Sequence, residues 1–245
     1  MCHKLSNTAT RFLLEKELNR PVKYPQVYKK QVMIDGLEET TIPMITMEEK
    51  QFIVPAIWGI LPEDYSGDWH AFQNVFSSLN LNIDSLNNPP WFADALLYRR
   101  CLIPVTGFFT SYLISGTLYP YYFHHKAGLP FCFIGIYNKI EDGFLTCSII
   151  TTLYDYRLEN VQNIDRTLPV LLPKELHSKW LSEDLGEDEI QDLLHTVPNF
   201  PLIAHPISKD FFNNNISYSS MLAPVFYDTA PKQIVLEQGS YILSP

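Results

Sequence analysis

The sequence predicts an α+β protein: a curved, mostly antiparallel sheet that approaches a β-barrel, with helices on its flanks. Three observations carry that expectation. Residues 99–152 run through successive stretches rich in aromatic and β-branched side chains, among them Phe131-Cys-Phe-Ile-Gly-Ile-Tyr137 and Leu145-Thr-Cys-Ser-Ile-Ile-Thr-Thr152, a composition that suits a pleated, half-buried surface. Between them stand Ser115-Gly116, Lys126-Ala-Gly128 and Glu141-Asp-Gly143, short segments whose glycines permit tight reversals, so the whole reads as an antiparallel meander. The helical signals fall outside that stretch, near residues 8–19, 93–98, 174–181 and 188–194.

Taken in order, Ser6-Asn7-Thr8 offers cap-type residues ahead of Phe12, Leu13, Leu14 and Leu18, whose near-helical spacing predicts a first helix that Pro21 ends. Residues 42–46 and 52–61 read as strands, the second closing on Trp58-Gly59. Leu79-Asn80-Leu81-Asn82-Ile83-Asp84 alternates, which as a strand sets Asn80, Asn82 and Asp84 on one face. Pro89-Pro90-Trp91-Phe92 leads into a helical turn before the central meander. Beyond it, residues 169–173 read as a strand running into a helix over 174–181. Asp188-Glu-Ile-Gln191 has the form of a capping box, and residues 204–208 close the sheet.

The chain has 245 residues and 46% hydrophobic content, enough for one domain over residues 1–245. No linker or internal repeat divides it. It holds no apolar run of about 18 residues and no signal-peptide pattern, so no membrane partner is expected and a cytoplasmic location is the default. Cys2, Cys101, Cys132 and Cys147 show no C-x-x-C spacing, so no metal or other cofactor is called for. His124-His125 are adjacent in a strand and point to opposite faces, which makes joint ligation difficult. The net charge of −9 argues against a broad basic face for nucleic acid. Much of the acidity, Glu183 to Asp192, suits a solvated helix start. Arg99-Arg100 reads more readily as a solvated basic pair than as a DNA groove. Trp58 and Trp91 suit either base stacking or core packing.

Several separated segments, in order, resemble the SOS-response-associated peptidase family, whose members sense abasic sites in single-stranded DNA. They are Met1-Cys2, Trp58-Gly-Ile-Leu-Pro62, Leu79-Asn80, Arg100-Cys-Leu-Ile-Pro-Val-Thr-Gly-Phe-Phe109, Pro120-Tyr-Tyr-Phe-His124, Phe133-Ile-Gly-Ile136, Ile149-Ile-Thr-Thr152, Leu168-Pro-Val-Leu-Leu172 and His205-Pro-Ile-Ser208. The resemblance implies that Met1 is removed and that Cys2, with a free α-amine and a thiol, condenses with the abasic aldehyde to a thiazolidine. It also implies single-stranded DNA bearing abasic sites as the partner.

The departures from the family pattern matter as much. Where the family reads Leu-Asn-Ala-Arg-Ala-Glu, Asn80 keeps the sugar-holding asparagine and Asn82 replaces the phosphate-gripping arginine. Gly-Phe-Tyr-Glu-Trp becomes Gly107-Phe-Phe-Thr-Ser111, placing Thr110 where the acid/base carboxylate belongs. Ile-His-x-Arg-Met-Pro becomes Ile164-Asp-Arg-Thr-Leu-Pro169, with Asp165 in the histidine position. The Cys-Gly-Arg opening becomes Cys2-His3-Lys4, leaving Lys4 as a point-charge substitute for arginine. Cys2, Asn80, Thr110 and Asp165 are thus the catalytic candidates, and Lys4, Trp58, Asn82 and Arg100 the DNA-binding ones. Losing a general acid or base typically lowers a rate by about 10²–10⁴, so reduced activity is expected. Two other readings stand beside this one: a non-catalytic binding or interaction domain on the same scaffold, and an N-terminal-cysteine peptidase acting on its own leader.

Overall fold

The computed structural model describes residues 3–153, 162–196, 202–212, 218–230, 234–237 and 240–243. Its strands are β1 (Lys4–Asn7), β2 (Gln31–Asp35), β3 (Thr41–Thr46), β4 (Val54–Trp58), β5 (Asn80–Asn82), β6 (Arg100–Val105), β7 (Gly107–Ile114), β8 (Thr117–His125), β9 (Phe131–Lys139), β10 (Leu145–Leu153), β11 (Thr167–Pro169), β12 (Leu202–Pro206), β13 (Ile234–Glu237) and β14 (Ser240–Leu243). The α-helices are α1 (Arg11–Leu18), α2 (Trp69–Val75), α3 (Pro90–Tyr98), α4 (His177–Trp180) and α5 (Glu187–Leu194).

The central stretch is not a single meander. β7 and β8 form a hairpin in one sheet, ordered β14-β13-β12-β8-β7-β1-β2, while β6, β9 and β10 belong to a second, ordered β11-β10-β4-β3-β6-β9. β6 and β7 part at Thr106, whose hydroxyl accepts from the Thr8 amide at 2.8 Å. β9 also pairs with β10, so β10, β4, β3, β6 and β9 close into a five-stranded barrel. Within it the contact of β4 with β10 is parallel, as is the pairing of β5 with β10.

Each strand sorts its side chains by the period of two. One face of the barrel sends Met44, Trp58, Ile103, Phe133 and Ile149 into a cluster shared with Leu5, Phe108, Tyr121 and Phe123 of the other sheet. The opposite face sends Ile45, Leu102, Ile134 and Ile150 against Leu14 and Leu18 of α1, Phe92 of α3, Trp180 of α4 and Leu194 of α5. Burial of each such side chain contributes roughly 1.5–3 kcal/mol. Two glycines are needed by these contacts. A Cβ on Gly135 would lie 2.4 Å from the Ser148 carbonyl oxygen, and Gly59 turns the chain after β4 at φ +110°.

The helices start and stop for local reasons. The Thr10 side chain accepts from the Leu13 amide at 3.2 Å, and Asn19, left-handed at φ 52°, ends α1. The acidic cluster begins α5, where Glu189 accepts from the Gly186 amide; the capping pair therefore lies at 186 and 189 rather than at 188 and 191. The helix expected over 174–181 is a 3₁₀ turn, Lys174–Leu176, followed by α4.

Candidate functional site

β1 is the strand that follows Cys2, which itself lies outside the described residues. It pairs with β7 through Leu5↔Phe108 and Ser6↔Gly107. Continuing that antiparallel register sets position 3 against Thr110. On its other side β1 is held by β2, where the Lys4 ammonium meets the Asp35 carboxylate and the Gly36 amide donates to the His3 carbonyl at 2.8 Å. Lys4 therefore has a carboxylate partner within the sheet.

Thr110 shares the face of Phe108 and Tyr112 on β7 and is buried, with 9% of its surface exposed. Its cross-strand partner is Tyr121. Burial, followed by the nearby Tyr112 and Tyr119 hydroxyls, pushes the Tyr121 phenol above its ordinary value. It stays protonated at neutral pH, so this wall offers hydroxyls and no titrating carboxylate.

Asn80 comes from the other sheet. Its parallel pairing with Ile149 gives it that residue's face, toward the cluster that also holds Phe108 of β7, and it is 6% exposed. The strand stops at Asn82, whose side chain accepts from the Asp84 amide at 2.9 Å and caps the 3₁₀ turn Ile83–Ser85. The alternation read through Asp84 thus ends two residues early, and Asp84 does not share a strand face with Asn80.

Asp165 lies on the segment leading into β11. One carboxylate oxygen accepts from the Thr167 amide at 3.0 Å and from its hydroxyl at 2.9 Å, a local cap on the strand. Gln162 steadies the same segment by donating to the Thr167 carbonyl at 2.9 Å. Asn163 clips it to β7, accepting from the Leu113 amide and donating to its carbonyl, each at 2.8 Å. The segment that carries Asp165 is thereby clipped to Leu113, three residues beyond Thr110 on β7.

Two expected DNA contacts are corrected. Arg100 has no exposed surface. Its guanidinium donates to the carbonyls of Trp180, Leu96, Leu97 and Ser182, and desolvation lowers its pKa to about 10. These bonds hold the ends of α3 and α4, so Arg100 presents nothing to a phosphate. Trp58 is likewise fully buried, with Nε1 donating to the Leu79 carbonyl at 2.9 Å, and no base can stack on it.

Two clusters were not singled out by spacing. His124 stacks on Tyr122 at 5.1 Å, and His205 meets both rings edge-on. Burial lowers both imidazole pKa values, favouring the neutral forms. Lys209 lies over the rings of Tyr119 and Tyr227. No sequence signal joins these residues, because the β8–β12 pairing and the return of residues 218–230 bring them together. Among the described residues no group of three or more His, Cys, Asp or Glu is placed to hold a metal ion, and no helix is long and apolar enough to cross a membrane.

A closed barrel backed by helices and sharing a core with a second sheet, whose strand β1 begins two residues after Cys2, defines the class. The family model for SOS response associated peptidase (SRAP) matches residues 1–214, and the chain belongs to that family. Among curated relatives, the Bacillus subtilis (strain 168) abasic site processing protein YoqW is 28% identical over 158 residues, which is 62% of this chain and 67% of that protein. YoaM of the same organism, also named an abasic site processing protein, is 28% identical over 144 residues, 56% of this chain and 60% of its own length. A solved structure from Bacteroides thetaiotaomicron superposes with a TM-score of 0.80 at 23% identity, covering 92% of this chain and 100% of that one. Another, from Bordetella bronchiseptica, gives 0.70 at 16% identity over 84% of this chain and 100% of its own.

Proposed function

We propose that this chain captures abasic sites in single-stranded DNA through Cys2, at a rate lowered by the changes at positions 110 and 165. One observation carries the reading: β1, which follows Cys2, pairs with the strand that holds Thr110, and Asn80 pairs with Ile149, a member of the same inner cluster as Leu5 and Phe108 of those two strands. The relatives named as abasic site processing proteins support the substrate.

With Met1 removed, the Cys2 α-amine adds to C1 of the ring-opened sugar and expels water to form an imine. The thiol then adds across the C=N bond, its proton passing to nitrogen, and closes the thiazolidine. One water leaves, and nothing is oxidised or reduced. An ordinary α-amine titrates near 7.7–8.0, which leaves roughly a quarter of it a free nucleophile at pH 7.4 without special tuning. What the family's glutamate and histidine would add is proton transfer during loss of water. Thr110 supplies a hydroxyl that does not titrate near neutrality, and the Asp165 carboxylate is engaged by Thr167. Asn80 is assigned the sugar, through its side-chain amide.

Intact-mass measurement after incubation with an abasic single-stranded oligonucleotide tests this. The expected product has the summed mass of the two partners less one water, and Cys2→Ala abolishes it. Unchanged mass for a protein with a free Cys2 amine would leave the non-catalytic binding domain as the better reading. The peptidase reading gains support only if Cys2→Ala blocks release of an N-terminal leader.

A further inference from the structure

We infer that Lys209 is a phosphate-binding residue of the DNA site, standing in for the cation lost at Asn82; this rests on the single-stranded DNA reading above. Its ammonium lies 4.2 Å from the Tyr119 ring centroid and 5.0 Å from that of Tyr227. The rings themselves meet edge-to-face at 5.0 Å. The cradle is braced at several points. Tyr227 donates to the Ile207 carbonyl at 3.0 Å and accepts from the Lys209 amide at 3.1 Å, while the Tyr119 and Thr229 hydroxyls share a hydrogen bond of 2.8 Å. Cation–π attraction explains how a half-buried ammonium is tolerated there, since no carboxylate among the described residues pairs with it. An uncompensated cation held in one place, in a chain of net charge −9, is a site for an anion.

Its position says which anion. Tyr119 and Tyr121 lie two residues apart on one face of β8, about 7 Å along the strand. Tyr121 is the cross-strand partner of Thr110. Lys209 therefore lies against Tyr119, one same-face step along β8 from Tyr121, the partner of Thr110. An abasic sugar carries a phosphate on either side, so a strand engaged at Cys2 brings a phosphate oxygen to this region. The other candidate cations are committed elsewhere: Arg100 to four carbonyls, and Lys4 to Asp35.

The test measures reversible binding of an undamaged single-stranded oligonucleotide from about 25 to 200 mM KCl, with Cys2→Ala as the background and thermal unfolding confirming each fold. Lys209→Met is expected to weaken binding about three- to tenfold at the lowest salt and to reduce the slope of log K against log [salt] by about 0.7, the value for one single-strand phosphate contact. Lys209→Arg keeps the slope, and Lys209→Gln serves where the methionine variant is unstable. A folded Lys209→Met or Lys209→Gln with unchanged affinity and slope overturns the inference. So does a background protein that binds no DNA at all. Cross-linking by the Cys2 protein, measured separately on the abasic oligonucleotide, distinguishes the two claims: an intact adduct with no Lys209 effect removes only the lysine's role, whereas a Lys209 effect without adduct removes only the covalent chemistry.

Discussion

The strand β1 and the buttress around Arg100 are both buried and both polar, yet they treat their polar groups in opposite ways. At the buttress the guanidinium donates to four carbonyls, Trp180 Nε1 donates to the Cys101 carbonyl at 2.9 Å, and the His177 imidazole meets the Leu172 carbonyl at 3.0 Å. In and beside β1, His3 Nε2 and Asn7 Nδ2 are buried without a hydrogen-bond partner among the described residues. A buried unsatisfied group costs about 1–3 kcal/mol, whereas a satisfied one is a modest net gain. The buttress is therefore optimised for stability. The strand that leads from Cys2 keeps unmet hydrogen-bonding capacity.

The largest expected effect breaks the buttress. Arg100→Met leaves four carbonyls without their donor at the ends of α3 and α4, and unfolding free energy should fall by about 4 kcal/mol. Arg100→Lys should recover less than half of that, because one ammonium cannot reproduce the fork. Urea unfolding measures both. Weakened DNA binding at unchanged stability would instead return Arg100 to the interface.

A second effect comes from pH. Burial, partly opposed by the Leu172 contact, lowers the His177 pKa to about 4 from 6.5. Between those values the unfolded chain binds more protons than the folded one, so this contribution is complete above about pH 6.5 and is lost as pH falls toward 4. The loss should reach about 2–3 kcal/mol at pH 4.5. Urea midpoints from pH 7 to 4.5 should show that slope, flattened in His177→Gln. An equally steep slope in the variant would shift the acid sensitivity to His124 and His205.

The smallest effect sharpens the contrast from the other side. Asn7 is 1% exposed, and Tyr28, which reaches its Oδ1 at 3.4 Å, also donates to the Ala9 carbonyl at 2.9 Å. Asn7→Leu should therefore be neutral or stabilising by up to about 1 kcal/mol. A loss above 2 kcal/mol would mean that the amide is satisfied after all, and that β1 resembles the buttress.

The same contrast marks what was legible in the sequence. The barrel strands, α1 and α5 were readable because period, composition and cap residues are local properties. The division of the central stretch between two sheets was not, since Thr106 carries no breaker signal and its role depends on Thr8, 98 residues away. Arg100 was misread because a basic pair looks solvated unless the carbonyls of two helix ends are known to surround it. The ordered motifs singled out Thr110 and Asn80 as candidates, but not that Thr110 would pair with Tyr121 and Asn80 with Ile149. Lys209 was invisible, as its two aromatic partners come from distant segments and neither spacing nor composition links them.

The most direct measurement compares cross-linking rates on abasic single-stranded DNA for the parent, Thr110→Glu, and Thr110→Glu with Cys2→Ala, all folded and lacking Met1. On the proposed mechanism a carboxylate at position 110 restores a proton donor and acceptor to the site, although desolvation at a 9% exposed position will raise its pKa. General acid/base groups contribute about 10²–10⁴ when well placed, so about a tenfold acceleration is expected even with imperfect geometry, and the double variant should be inert. A well-folded Thr110→Glu that is no faster than the parent would contradict the view that this site kept its nucleophile and lost its proton carrier.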